Sequence, residues 1–173
     1  MARAFFMETE RTRFSKWGPK DLEPAVSLWG DPAVTRWICA SGVFTGEEIV
    51  ARLEKEVSNG ALYGIQYWPF FHRESGELIG CCGLRPRKPG EYEIGFHLRP
   101  SFWGRGYGFE AAQAVIGYAF RQLKAEALFA GHNPNNKASR KLLSKLGFTY
   151  IGDEFYEPTG LYHPSYELKR GEL

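Results

Sequence analysis

The chain has 173 residues, 43% hydrophobic, 24% charged and 16% aromatic, with a formal net charge of +2. That is one globular domain with a sizeable core; it excludes a disordered chain, and so small a charge gives no electrostatic case for a nucleic-acid or membrane partner. The Ala4–Met7 run is too short for a signal peptide, nothing approaches a membrane span, and Cys39, Cys81 and Cys82 form neither a disulfide framework nor a zinc site, so the expected setting is reducing and cytoplasmic.

Thr9–Trp17 reads as a first strand and Pro19–Trp29 as a short helix, with proline near its start. Asp31-Pro32 breaks that helix, and Ala33–Trp37 fits one further turn. Thr45-Gly-Glu-Glu48 is a capping box. The helix behind it places Ile49, Val50, Leu53 and Val57 on one side. Leu62–Tyr67 alternates as a strand, Arg73-Glu-Ser-Gly76 is a turn, and Glu77–Leu84 returns as the second strand of a hairpin. Arg85–Gly90, with two prolines, predicts a loop. Glu91–Leu98 is the next strand. A helix over Phe109–Leu123 carries Ala112, Val115, Ile116, Ala119, Phe120 and Leu123 at helical spacing. Ala127–Gly131 is a short strand. Asn133-Pro-Asn-Asn136 opens a helix with Leu142, Leu143 and Leu146 on its apolar side, and Gly147 suits its end. Phe148–Phe155 and Leu161–Leu168 predict a closing hairpin. A strand–helix–strand unit among antiparallel elements predicts an α/β domain with a mixed, mostly antiparallel sheet and helices on its faces.

Between the strand at Glu91–Leu98 and the helix that follows lies Trp103-Gly-Arg-Gly-Tyr-Gly108. A glycine-rich turn between strand and helix lets backbone amides converge on an anion, here a phosphate group. The dinucleotide pattern fails: from Gly104 its third glycine falls on Phe109, and from Gly106 on Ala111. The turn also lies too far into the chain for that fold. No Gly-Lys-Ser/Thr triplet occurs, which excludes a P-loop.

The order of elements and this turn resemble the GNAT superfamily of acetyl-CoA-dependent N-acetyltransferases. The family pattern is Gln/Arg-x-x-Gly-x-Gly/Ala. Gly106 and Gly108 match it, while Trp103 stands where Gln or Arg is usual, a departure typical of the RimJ/RimL-like ribosomal-protein acetyltransferases. Thr9-Glu-Arg11, Leu78-Ile-Gly80, Glu93-Ile-Gly-Phe96, Glu110-Ala111, Asn136-Lys-Ala-Ser139 and Lys145-Leu-Gly-Phe148 are similar to the same branch. The resemblance spans about Thr9–Leu168 of one domain occupying residues 1–173.

That resemblance implies a central sheet with a splayed parallel pair. Its cofactor is acetyl-CoA, with the pyrophosphate on backbone amides from Arg105, Gly106, Tyr107, Gly108 and Phe109. The Arg105 side chain is a further phosphate contact, or else a solvated surface cation. The pantothenate arm is expected along the backbone of Phe96 and Leu98, with a β-bulge there. Ser139 is the candidate partner of the CoA sulfur and Asn136 of the amide arm, and each also suits helix capping. Glu93 and His97 share one strand face and are candidate bases, or else an ion-pair partner and a packed aromatic; His132 and His163 are further candidates. The acceptor is an amine, either a protein N-terminus or a small molecule. Trp29, Trp37, Phe44 and Tyr162 are candidates to wall its site, and a homodimer is common in the family. A non-catalytic acetyl-CoA sensor of the same fold is the alternative.

Overall fold

Two short strands, β1 (Met7–Glu8) and β2 (Thr12–Phe14), pair as a hairpin where one strand was expected. The computed structural model describes residues 2–172. Helix α1 (Leu22–Trp29) and the single turn α2 (Pro32–Thr35) follow. Helix α3 (Gly46–Tyr63) starts at the expected capping box: Thr45 accepts the Glu48 amide, and Glu48 accepts the Thr45 amide. It faces the core with Ile49, Leu53 and Val57, whereas Val50 is exposed.

The expected strand at Leu62–Tyr67 is corrected. α3 runs through Tyr63 and stops at Gly64, whose φ of 72° favours glycine. Leu62 and Tyr63 are exposed at the helix end, and the strand β3 begins at Tyr67 (Tyr67–His72). The loop expected at Arg85–Gly90 is likewise mostly strand. β4 (Leu78–Lys88) runs on past Leu84, paired with β5 (Glu91–Leu98). β3 ends opposite Gly83, so Pro86 meets no second neighbour that would need its missing N–H.

A 3-10 turn (Pro100–Phe102) leads to α4 (Tyr107–Arg121), which starts two residues before the expected position. β6 (Ala127–Gly131), α5 (Lys137–Lys145) and the hairpin of β7 (Thr149–Tyr156) and β8 (Leu161–Lys169) complete the chain. The sheet order is β1-β2-β3-β4-β5-β6-β8-β7, antiparallel throughout except for β5–β6. One face buries Phe70, Ile79, Cys82 and Leu84 under Ala112, Val115 and Ile116 of α4 and Leu143 of α5. The other buries Tyr67, Phe71 and Cys81 under Leu28 and Trp29 of α1 and Leu53 of α3. Burial pushes the Cys81 thiol up to about 12, as befits a packing residue.

One tie joins the chain's start to its middle. The Glu110 carboxylate accepts from the Thr9 hydroxyl at 2.6 Å and from the Arg11 amide at 2.8 Å, and pairs with Arg11 Nε at 2.7 Å. Arg11 also donates to the Arg105 carbonyl at 3.0 Å and lies 4.1 Å over the Tyr107 ring. Burial alone raises the Glu110 carboxyl, but these hydrogen bonds outweigh it and hold it below the usual range. Its contribution is therefore present above the unfolded carboxyl's pKa and lost as pH falls through the folded one. Glu110→Gln is expected to cost about 1.5–3 kcal/mol in urea unfolding at neutral pH, with the deficit shrinking as the medium is acidified.

Candidate functional site

β5 and β6 pair over only three positions, Glu91↔Ala127, Tyr92↔Leu128 and Glu93↔Phe129. Beyond Glu93 they part, and a cleft of about 1240 Å³ opens between β5, α4, α5 and the β7–β8 hairpin. The structure brings Glu93, Phe96, His97, Leu98, residues 106–109, Asn136 and Ser139 to its wall, while Arg105 stays outside.

The register of β5 determines what its edge offers. The Arg99 amide donates to Ile79, and pairing with β4 is regular from Gly80↔Leu98 to Pro86↔Tyr92. In an antiparallel ladder hydrogen-bonded residues alternate, so the backbone groups of Ile94, Phe96 and Leu98 point away from β4 and into the gap. The expected bulge near Phe96–Leu98 is corrected: the register shift sits at Pro86/Lys88, and divergence from β6 alone makes the opening. The Leu98 carbonyl is taken by Trp103 Nε1 at 2.8 Å. That bond gives the departing residue of the turn a task that no motif comparison shows. Phe96 keeps both backbone groups open.

The glycine turn is built for an open helix end. Gly104 and Gly106 have φ of 70° and 82°. Gly106 is the N-cap of α4, and having no side chain it leaves the amides of the first turn uncapped. α5 is different: its cap Asn136 accepts the Ser139 amide at 3.1 Å. Ser139 is thus the third residue of α5, and its hydroxyl makes no hydrogen bond among the described residues. Arg105 is exposed, touching the Ser101 carbonyl at 3.4 Å.

Two of the three histidines lining the cleft, His97 and His132, hold opposite tautomers. Trp29 Nε1 donates to His97 Nδ1 at 3.1 Å. An indole only donates, so Nδ1 accepts and the ring proton sits on Nε2. Burial, with the Arg52 and Arg85 guanidiniums, holds His97 well below the usual histidine range. His97 is therefore a neutral donor whose accepting nitrogen is occupied. His132 Nδ1 lies 2.7 Å from the Asn133 carbonyl, which only accepts, so its proton is on Nδ1 and its Nε2 accepts from the Tyr166 hydroxyl at 3.4 Å. Burial lowers His132 too. His163 bonds Thr159 at 2.9 Å. Glu93 is half-buried, makes no ion pair among the described residues, and is raised above the usual carboxylate range by burial.

Of the aromatics expected to wall an acceptor site, Trp29 and Phe44 belong to the core and Tyr162 is exposed outside the cleft. Trp37 does line it, joined by Phe155 and Tyr156, which were not singled out. The floor is Tyr67. A Cβ at Gly95 would drive into its ring, so the strand crosses there only as glycine. Among the described residues no group of three His, Cys, Asp or Glu is placed to hold a metal, and no helix is long and apolar enough to cross a membrane.

Residues 11–149 match the description "Acetyltransferase (GNAT) domain". The chain is 31% identical over 147 residues to the uncharacterised N-acetyltransferase p20 of Bacillus licheniformis, covering 83% of this chain and 82% of that protein. It is 31% identical over 89 residues to the ribosomal protein uS5-alanine N-acetyltransferase of Escherichia coli, covering 50% of this chain and 46% of that protein. A GNAT-family acetyltransferase structure from Bacillus anthracis superposes with a TM-score of 0.81 at 25% identity, covering 95% of this chain and 98% of that one.

Two outcomes follow from the geometry. Gly95→Ala is expected to lower stability by about 1–3 kcal/mol, and by much less in a Tyr67→Ala background, as read by a double-mutant unfolding cycle. Nitrogen-15 NMR at neutral pH is expected to show His97 as the Nε2–H tautomer and His132 as the Nδ1–H tautomer.

Proposed function

Because the chain belongs to the GNAT acetyltransferase family, a family of N-acetyltransferases whose general acetyl donor is acetyl-CoA, we propose that it moves that acetyl group directly to a primary amine while both substrates are bound. The observation that carries this reading is a coincidence of two open backbone sites in one cleft. The first turn of α4 presents uncapped amides behind a positive-φ glycine, and the edge of β5 presents unpaired groups at Phe96. The first fits a pyrophosphate at the positive end of a helix dipole. The second fits an amide arm adding as a strand, with the Leu98 amide as a further donor. Bound there, acetyl-CoA supplies the activated thioester.

The chain's own residues do the rest. Gly106, Tyr107, Gly108 and Phe109 hold phosphate oxygens through backbone N–H groups, and Arg105 adds charge from outside the cleft. Asn136 has its oxygen engaged in the α5 cap, which leaves its side-chain N–H groups for the amide arm. Ser139, with its hydroxyl unengaged, hydrogen-bonds the sulfur and eases departure of the thiolate. Glu93 takes the proton from the incoming ammonium. A carboxyl raised by burial is a better proton acceptor than an ordinary one. His97 does not compete for that proton, because its accepting nitrogen is occupied by Trp29; its Nε2–H is a fixed donor at the cleft wall. The acceptor is a protein N-terminus or a small-molecule amine; the Escherichia coli relative is named for an alanine of ribosomal protein uS5.

Ser139→Ala is expected to lower kcat by roughly a hundredfold while acetyl-CoA affinity changes little; unchanged kcat would remove the acid role. The wild-type pH profile of kcat/KM is expected to rise with pH through a carboxyl titrating above the usual range, since only ionised Glu93 accepts a proton. Glu93→Gln should abolish that limb; if the limb persists, His132 takes the role, its Nε2 giving up the Tyr166 hydroxyl. Tight acetyl-CoA binding with no thiol release across a broad panel of amines and N-terminal peptides would favour the sensor reading.

A further inference from the structure

The face of the sheet beneath α3 carries a polar cluster that the transfer chemistry does not use. Glu56, in the middle of α3, is fully buried. One of its carboxylate oxygens meets Arg85 Nη2 at 2.7 Å and Arg52 Nε at 3.4 Å, and the other accepts the Tyr67 amide at 2.7 Å. Two guanidiniums therefore share one carboxylate. The Nε atoms of Arg52 and Arg85 are buried and make no hydrogen bond among the described residues. Lys55, the neighbour of Glu56, makes no ion pair among the described residues.

Arg52, Lys55 and Arg85 all line the cleft, as do Glu93 and Glu154. Arg85 lies directly opposite Glu93 across the β4–β5 ladder. Glu56 draws the Arg85 guanidinium back into the core, so the two neighbours do not pair. The result is a separated arrangement. Unpaired carboxylate stands at the mouth of the splay, and cationic groups in excess of their buried counter-charge stand just behind it.

We propose that the acceptor amine carries a carboxylate a few bonds away, so that its ammonium meets Glu93 while its carboxylate meets Lys55 and the cleft-lining edges of the Arg52 and Arg85 guanidiniums. This rests on the acetyl-transfer reading and adds the substrate's chemical class. An amine without a carboxylate would leave the excess positive charge at the cleft wall unbalanced, which selects against it. Guanidinium donors in a half-buried wall suit a planar carboxylate. A free amino acid and a peptide with an acidic first residue both present this chemistry.

The test is equilibrium binding to the CoA complex, which does not depend on turnover. N-acetylglycine and N-acetylglycinamide form one pair; tripeptide amides beginning with N-acetyl-Asp and N-acetyl-Asn form the other. The acid member of at least one pair is expected to bind about tenfold or more tightly than its amide by calorimetry. Lys55→Gln, an exposed helix substitution that spares the Glu56 cluster, is expected to erase most of that preference. A preference confined to the small pair assigns the free amino acid; one confined to the tripeptides assigns an acidic peptide N-terminus. Equal affinities in both pairs, or a preference untouched by Lys55→Gln, overturn the inference. A carboxylate preference without any thiol release would instead overturn the acetyl-transfer reading, and with it the acceptor assignment, and leave a carboxylate-binding site.

Discussion

The cleft exists because β5 and β6 are each bound more fully to an outer neighbour than to one another. β5 follows β4 from Pro86↔Tyr92 to Gly80↔Leu98, and β6 follows β8 over all five of its residues. Between them only three positions pair. A right-twisted sheet tolerates such a parting only if the freed backbone groups find other partners. Trp103 covers one carbonyl. The open groups of Phe96 face into the cleft and not onto the outer surface, so the parting does not leave a bare edge strand.

The two faces of the sheet are built on different physics. Under α4 and α5 the core is apolar, from Phe70 and Ile79 to Leu143. Under α3 an ionised side chain is sunk among aromatic rings, with Arg85 4.2 Å and Arg52 5.6 Å from the Tyr67 ring centre. A buried ion cluster of this kind is poor evidence of extra stability, because desolvation offsets much of the attraction. Its position is more informative than its energy. It abuts the cleft on the side away from the glycine turn, and it holds Arg85 clear of Glu93. The apolar face carries the glycine turn, and the polar face forms part of the opposite wall of the cleft.

Much of this was legible along the chain. The periodicity of α4, the Thr45 capping box and the glycines at 104 and 106 are local signals, and each stands where it was expected to within two residues. The errors were also local. Tyr63, Ile65 and Tyr67 alternate across a helix end and not along a strand, because Gly64 turns the backbone between them. Prolines made Arg85–Lys88 look like a loop, although a strand paired on one side accepts them. The non-local facts had no signal at all. Nothing in Thr9-Glu-Arg11 or in Glu110-Ala111 says that they bond to each other, although each was noticed. The tautomers of His97 and His132 depend on Trp29 and on the Asn133 carbonyl, one of them 68 residues from its partner. The burial of Glu56 on an otherwise ordinary helix was likewise invisible.

The Arg11–Glu110 tie also sets an order in time. Its partners are 99 residues apart, and the same guanidinium holds the Arg105 carbonyl at the start of the glycine turn. On a ribosome adding roughly 5–20 residues per second, Arg11 emerges about 5–20 s before Glu110 exists to meet it. Until then the first hairpin lacks its charge partner, and contacts of such separation form slowly. The glycine turn is thus tied down only once the chain has passed Glu110, although one of the residues that anchors it is among the first to be made.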